Sequence, residues 1–431
     1  MGETAIPSSA AVGEVLACLD GRRPALSPAV AHRWPALHAG HGLTVVARAD
    51  VAREALADPR LVVGDGDGRL PALRISPHDD LDAVFRSMPS LRDGSAHARL
   101  RRVVAPYFTR RSASAARAAI AETVERTWPA DAGQGFDFVT GYADRLPVRL
   151  ALLVMGLPGE DTERLEHWAR MLRDRIRPGT PGGDGDALPA ELAELRRYAR
   201  TALATADHGL LRAIAEAVRA GAADEAEGFA LFVLLLTAGL ETLSQALAQA
   251  AHRAALEPDW LAGLRREPDR AHDAFRSALR AASPLRMLAR RAACPASAGG
   301  LALPAGQTVV VLLAAALLGE PAGAGPRTGP EAALAYGHGP HICLGMHHAD
   351  IAGAEFLRFL AGRPGRLVVL PGAAPHWSPA VQGWSRLPVR EVPPGSSGAG
   401  GSPGAFPGDS PGASPDDSPG GSPAELSPER T

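Results

Sequence analysis

The sequence predicts a mainly α protein with a small β part, and three observations carry that expectation. Ala190 to Glu257 contains no proline and keeps a helical period throughout, with Leu192, Leu195, Tyr198 and Ala199 on one stripe. A second helical pattern, Met346 to Leu360, follows directly on a glycine-rich segment. Against these, β-branched runs are few and short. Leu43–Ala47, Thr308–Leu312 and Arg366–Leu370 are each bounded by Gly or Pro and read as a minor sheet beside the helices.

The chain has 431 residues, 46% of them hydrophobic, enough to bury a large core. No repeat of solenoid or propeller period is present, so residues 1–391 read as one domain. From about Pro393 the composition collapses into Gly, Pro, Ser and Asp with Phe406 as the sole aromatic. Such a segment buries too little apolar surface to offset its ordering entropy, and 392–431 reads as a disordered tail. A net charge of −2 gives no field that would attract nucleic acid or an anionic membrane. The three cysteines, Cys18, Cys294 and Cys343, form no C-x-x-C pair, which argues against a disulfide framework, a structural zinc site or an iron–sulfur cluster, and for a reducing compartment. Met1–Asp20 lacks a basic start and a continuous apolar core. No window reaches the roughly 18 apolar residues of a membrane span, so a cytoplasmic protein without an anchor is expected.

Taken in chain order, the first segment with chemistry is His97-Ala-Arg-Leu-Arg101, whose histidine and arginine at i and i+4 point from one helix face. The same pattern also suits a solvated face. Next, Phe229–Thr242 is nearly continuous in apolar residues until Gly239, Glu241 and Thr242 interrupt it. Gly costs about 1 kcal/mol in a helix interior and a buried carboxylate costs more unless partnered. Gly239 can open a notch and Glu241–Thr242 can handle protons, or the helix simply surfaces there. The last segment, Tyr336-Gly-His-Gly-Pro-His341-Ile-Cys343-Leu-Gly345, sets three glycines and a proline around one cysteine and then enters a helix. Backbone N–H groups and the positive helix end stabilise a thiolate, and glycines admit a flat cofactor. A buried inert cysteine would account for Cys343 but not for its surroundings.

This segment resembles the haem-binding loop of the cytochrome P450 family, aromatic-Gly-x-Gly-x-His-x-Cys-x-Gly, at every fixed position. Pro375-x-Trp377-x-Pro379 and Leu387-Pro388-Val389 are similar to the family's C-terminal strands, so the likeness spans nearly the whole ordered chain and implies the P450 fold. It implies haem b, with Cys343 as axial ligand to the iron and a thiolate that pushes electron density onto it. It also makes His341, His97, Arg101 and Arg290 propionate contacts, with Asp93 and Arg102 fitting the His97 segment; Arg suits carboxylates through its planar fork. Ala238-Gly-Leu-Glu241-Thr242 is similar to the family's oxygen groove, where an acid and an alcohol relay protons to dioxygen, a general acid role.

The implied activity is a bacterial monooxygenase that inserts one atom of O2 into a hydrophobic small molecule, in secondary metabolism such as antibiotic biosynthesis. No reductase segment is present, so electrons would come from a ferredoxin and ferredoxin reductase, docked at the arginine-rich face of Arg102, Arg110 and Arg111 unless that face is merely solvated. Specificity would reside in Val62–Leu91, in Leu234, Thr237 and Ala238, and in the turn at Val381–Gly383. One departure stands out. The register of Arg280 and Pro284 puts Ser277 where the family has the glutamate of a Glu-x-x-Arg ion pair, and the segment between Glu320 and Tyr336 is short, with Arg327 its only basic residue. Asp273 and Arg276, at i and i+3, are an alternative pair. The lost pair supports a second reading, a catalytically degenerate partner that stabilises an antibiotic-pathway glycosyltransferase; the retained cysteine opposes it.

Overall fold

The computed structural model describes residues 9–19, 30, 33–40, 42–64, 79–176, 188–318, 334–378 and 380–393. The proline-free stretch is three helices, Leu188–Thr205, Gly209–Arg219 and the 32-residue helix Glu225–Leu256. The long helix begins at a capping box: Asp224 accepts the Glu227 N–H at 2.7 Å and Glu227 accepts the Asp224 N–H at 3.0 Å. Glu227 is buried and also takes Arg92 and Arg99, each at 2.6 Å. Arg99 lies on helix Gly94–Val104, so this cluster locks the start of the long helix to the segment carrying His97 and Arg101.

The hydrogen bond from Arg99 is the main cause that brings the Glu227 carboxyl down to about 2. A value depressed below the ordinary 4.5 means stabilisation fully present above pH 4.5 and lost as the pH falls toward 2. Glu227→Gln keeps an oxygen for the cap but loses both ion pairs. It is expected to cost ~2–3 kcal/mol at neutral pH, a gap that narrows steadily below pH 4.5 when the two proteins are unfolded in urea side by side.

Against expectation, this helix is long and apolar enough to cross a membrane by length and composition, the one such helix among the described residues. Phe229, Leu231, Phe232, Val233, Leu236 and Leu240 are instead buried against other helices. It forms the spine of the core.

The strands do not make one minor sheet. β1 (Ala36–Gly40), β2 (Leu43–Val46), β3 (Leu61–Val62), β5 (Met287–Ala292) and β8 (Thr308–Leu312) form a five-stranded sheet in the order β1-β2-β8-β5-β3. Here β2 runs parallel to β8, and β8 antiparallel to β5, which sets Arg290 opposite Val309. The third expected run, β9 (Arg366–Val369), belongs to a separate sheet with β4 (Phe136–Asp137) and β12 (Pro388–Val392). Period-2 alternation identifies a strand, not its partner. Two hairpins complete the β part, β6 (Ala296–Ala298) with β7 (Leu301–Leu303), and β10 (Ala374–Trp377) with β11 (Gln382–Arg386). β12 ends on Val392, paired with Arg366, one residue past the expected boundary at 391. The tail from 394 and residues 319–333, which include Arg327, lie outside the described residues.

The Asp273–Arg276 pair does not form. Arg276 reaches Asp350 on the helix Met346–Gly362, with Nη2 at 2.5 Å and Nε at 3.1 Å from Oδ2, while Asp273 lies 3.8 Å from His272. Helix Ala271–Ala281 and helix Met346–Gly362 pack so closely that a Cβ on Gly353 would sit 2.3 Å from the Phe275 ring. That approach carries the guanidinium across, whereas Asp273 is at the exposed end of the same face.

Candidate functional site

The loop before helix Met346–Gly362 is shaped by two glycines in the left-handed region, Gly337 at φ 75° and Gly339 at φ 72°. Gly339 passes against the end of helix Ala49–Ala57, where a Cβ would lie 2.3 Å from the Leu56 carbonyl oxygen. The loop then folds back, and the Cys343 N–H donates to the Tyr336 carbonyl at 2.8 Å. The backbone N–H groups of Gly345 and Met346 lie near enough to the Cys343 sulfur to favour its ionised form. Burial pushes the thiol up from its ordinary value; these N–H groups and the Arg101 charge oppose that push, and the Asp350 charge adds to it. The Cys343 side chain is accessible, yet protein surrounds it on nearly every side, so what it faces is interior space.

Arg101 donates from Nη2 to the Ile342 carbonyl at 2.6 Å, fixing it beside the cysteine. His97, one turn earlier, is 6% exposed and its ring centroid lies 4.3 Å from that of His341. His341 Nε2 is 3.0 Å from Asp93 Oδ1, and Asp93 Oδ2 accepts the N–H groups of Val63 and Gly64 at 2.9 and 3.2 Å. Arg290 is 6% exposed, with Nη1 donating to the Ala289 carbonyl, and it shares in the field of Asp93. His97, His341 and Arg290 are therefore brought together around one carboxylate, Asp93, and Arg101 joins them through His97 and the cysteine loop.

The charges there are poorly solvated. Burial, then His341 and Arg101, brings His97 down to about 4, so it is neutral near pH 7. Burial brings Arg290 down to about 10 and lowers Arg101 as well. Burial works against ionised Asp93, but hydrogen bonds from His341 and the two backbone N–H groups hold its carboxyl below the ordinary range. Two desolvated guanidinium groups and two imidazoles against a single carboxylate make a donor set that fits a ligand carrying two further carboxylates.

On the long helix, Ala238 is exposed although Leu236 and Leu240 beside it are each 1% exposed. Leu234, Thr237, Glu241 and Thr242 share that open face, at spacings of three and four. Leu344, next to Cys343, packs against the large hydrophobic cluster to which the long helix contributes Leu236 and Leu240. A Cβ on Gly239 would meet only Pro147, at an ordinary 3.9 Å, so packing does not demand glycine and the notch is free space. Thr242 Oγ1 donates to the Ala238 carbonyl at 3.4 Å, and Glu241 Oε1 lies 4.0 Å from His376 Nε2.

Two sequence expectations change here. Val381, Gln382 and Gly383 are buried, with Gln382 bonded to the Ser283 carbonyl and Gly383 pressed against Gln245, so they are scaffold and not an open specificity turn. Sequence reasoning also missed Asp350, Tyr336 and Arg276 as a group. The available signal was the pair of carboxylates, Asp350 and Glu355, within the mostly apolar, buried pattern of helix Met346–Gly362, each of which requires a partner.

No family model matches the chain. It is 30% identical over 359 residues to the vitamin D(3) 25-hydroxylase of Pseudonocardia autotrophica, a match covering 80% of this chain and 87% of that protein. It is 28% identical to the cytochrome P450 monooxygenase PikC of Streptomyces venezuelae, over 81% and 86% of the two chains. The chain belongs to the cytochrome P450 family. The crystal structure of CalO2 agrees with a TM-score of 0.74 and 25% identity, over 85% of this P450 and 95% of that chain. As a P450 monooxygenase it acts on a small molecule with O2 and electrons from redox partners, and the family's cofactor is a haem-thiolate iron. The chemistry of the donor set described above fits that group.

Proposed function

We propose that this P450 inserts one atom of O2 into a large apolar molecule of bacterial secondary metabolism, with Cys343 holding the iron of haem b. The observation that carries this reading is the Cys343 sulfur, accessible yet surrounded by protein, with the Gly345 and Met346 N–H groups and the Arg101 charge beside it. His97, Arg101, Arg290 and His341 would hold the propionates. When bound, haem supplies the oxidising power, while the protein supplies orientation and protons. Thr242 offers its hydroxyl on the open face, and half-buried Glu241 beside it passes protons inward with His376 at its outer side. Leu234, Thr237 and Ala238 give the substrate an apolar, small-residue wall, in keeping with a relative named for acting on vitamin D(3).

The test is the carbon monoxide difference spectrum of the dithionite-reduced protein. The red-shifted Soret band of a thiolate-ligated ferrous carbonyl is expected. Protein that stays colourless after haem reconstitution would overturn the proposal. The alternative reading as a glycosyltransferase partner rested on the missing Glu-x-x-Arg pair, which stays absent, while Arg276 and Asp350 supply a different pair beside the cysteine loop.

Electrons would arrive from a ferredoxin, reduced by its reductase, at the exposed face of Arg102, Arg110 and Arg111. The charge of Arg110 is felt at His347, in the first turn of the helix that follows the Cys343 loop. Reversing two charges, Arg110→Glu with Arg111→Glu, is expected to slow reduction by an acidic ferredoxin ~10-fold at low salt, a deficit that fades as screening increases. Stopped-flow reduction across a salt series measures it.

A further inference from the structure

Asp350 is 1% exposed and lies seven residues after Cys343, about one turn into the helix that the loop feeds. Its Oδ1 accepts the Tyr336 hydroxyl at 2.8 Å, its Oδ2 accepts two N–H groups of Arg276, and His272 Nε2 is 3.5 Å away. Tyr336 in turn accepts the Cys343 N–H on its carbonyl. The chain entering the cysteine, through Tyr336, and the chain leaving it, through the helix, are thus tied to one carboxylate. Arg276 ties that carboxylate to a third element, helix Ala271–Ala281, at a register set by the contact of Gly353 with Phe275.

We propose that Asp350, clamped by Arg276 and bonded to Tyr336, is a positioning residue that orients the Cys343 sulfur and so replaces the absent Glu-x-x-Arg pair. The inference rests on the haem-thiolate reading above. Groups bonded to a metal ligand fix its orientation and electron density, and losing one costs about 10–100-fold in metal affinity or activity; Asp350 acts one bond further out, through Tyr336. The charge balance supports the assignment: an unpaired Asp350 would place a buried negative charge near the thiolate, and Arg276 cancels it. A purely local bond between helices would have no reason to reach the residue whose carbonyl holds the cysteine.

The test uses the full-length, haem-loaded protein and three readouts: haem transfer to an excess of a haem acceptor, the division of the ferrous carbonyl spectrum between thiolate and neutral-thiol forms, and circular dichroism. Asp350→Asn is expected to release haem ~10–100-fold faster and to move part of the carbonyl spectrum to the neutral-thiol form, with helix content unchanged. Tyr336→Phe removes one oxygen, should fold in any event, and is expected to shift both readouts in the same direction to a smaller extent. The charge-swapped pair Arg276→Asp with Asp350→Arg is expected to recover haem retention relative to Arg276→Asp alone. Wild-type haem release and an unshifted thiolate carbonyl in both Asp350→Asn and Tyr336→Phe would overturn the inference while leaving the haem-thiolate reading intact. An unaltered protein with no thiolate carbonyl would overturn that reading first, and the inference with it.

Discussion

Replacing Cys343 with serine is expected to abolish the thiolate-type ferrous carbonyl band and to reduce monooxygenation to the level of a control without enzyme. The reasoning is electronic as well as geometric. A serine hydroxyl in this loop stays protonated, because an alcohol ionises far less readily than a thiol, and the Gly345 and Met346 N–H groups and Arg101 oppose the push of burial without overcoming it. The neutral oxygen donates little electron density to iron, so haem affinity should fall by more than the ~10–100-fold that follows loss of an outer partner. The fold should be indifferent. Sulfur and oxygen differ little in size here, and the loop is shaped by Gly337, Gly339 and the bond from the residue 343 N–H to Tyr336. An apoprotein melting curve that matches the unaltered chain, together with loss of the band, would locate the effect in the ligand. A serine variant that kept the thiolate band would show that another group holds the iron.

Gly339→Ala is expected to have the largest effect on folding among substitutions in the loop. The residue needs φ 72°, which costs an L side chain ~1–2 kcal/mol. The new Cβ would also meet Leu56 O at 2.3 Å and Ala57 Cα at 2.8 Å. These are backbone atoms at the end of a helix whose Ala55 and Leu56 are buried, so they cannot swing aside as a side chain tip would. Relieving the overlap adds ~1–3 kcal/mol. The total, ~2–5 kcal/mol by chemical denaturation, should come with reduced haem occupancy, since the displaced turn carries His341 and begins four residues before Cys343. Gly345→Ala is the control. Its φ is −81° and no atom lies within 4 Å of the added carbon, so apoprotein stability should hardly change.

The haem loop was legible because its requirements are local: glycines for the backbone path, a cysteine, and a helix start within ten consecutive residues. The long helix was legible for the same reason, its open face marked by Gly239, Glu241 and Thr242 amid apolar residues. The four basic residues of this site were nameable only through family resemblance, since their segments are spread from position 97 to 341. That three of them gather at a single carboxylate while Arg101 turns to the cysteine loop, and that burial brings His97 to about 4, is a property of the assembled site.

By itself, then, the sequence determined the helical class, the thiolate loop and the acid–alcohol pair, because each is written within one element by periodicity or spacing. Tertiary structure alone decided that β9 leaves the main sheet, that Val381–Gly383 is scaffold, and that Arg276 serves Asp350 and not Asp273. The last case shows the physical reason. Asp273 and Asp350 are both chemically suitable partners for one guanidinium, and the choice rests on Gly353 allowing Phe275 so close that Asp350, 74 residues away in the chain, becomes the nearer and drier carboxylate.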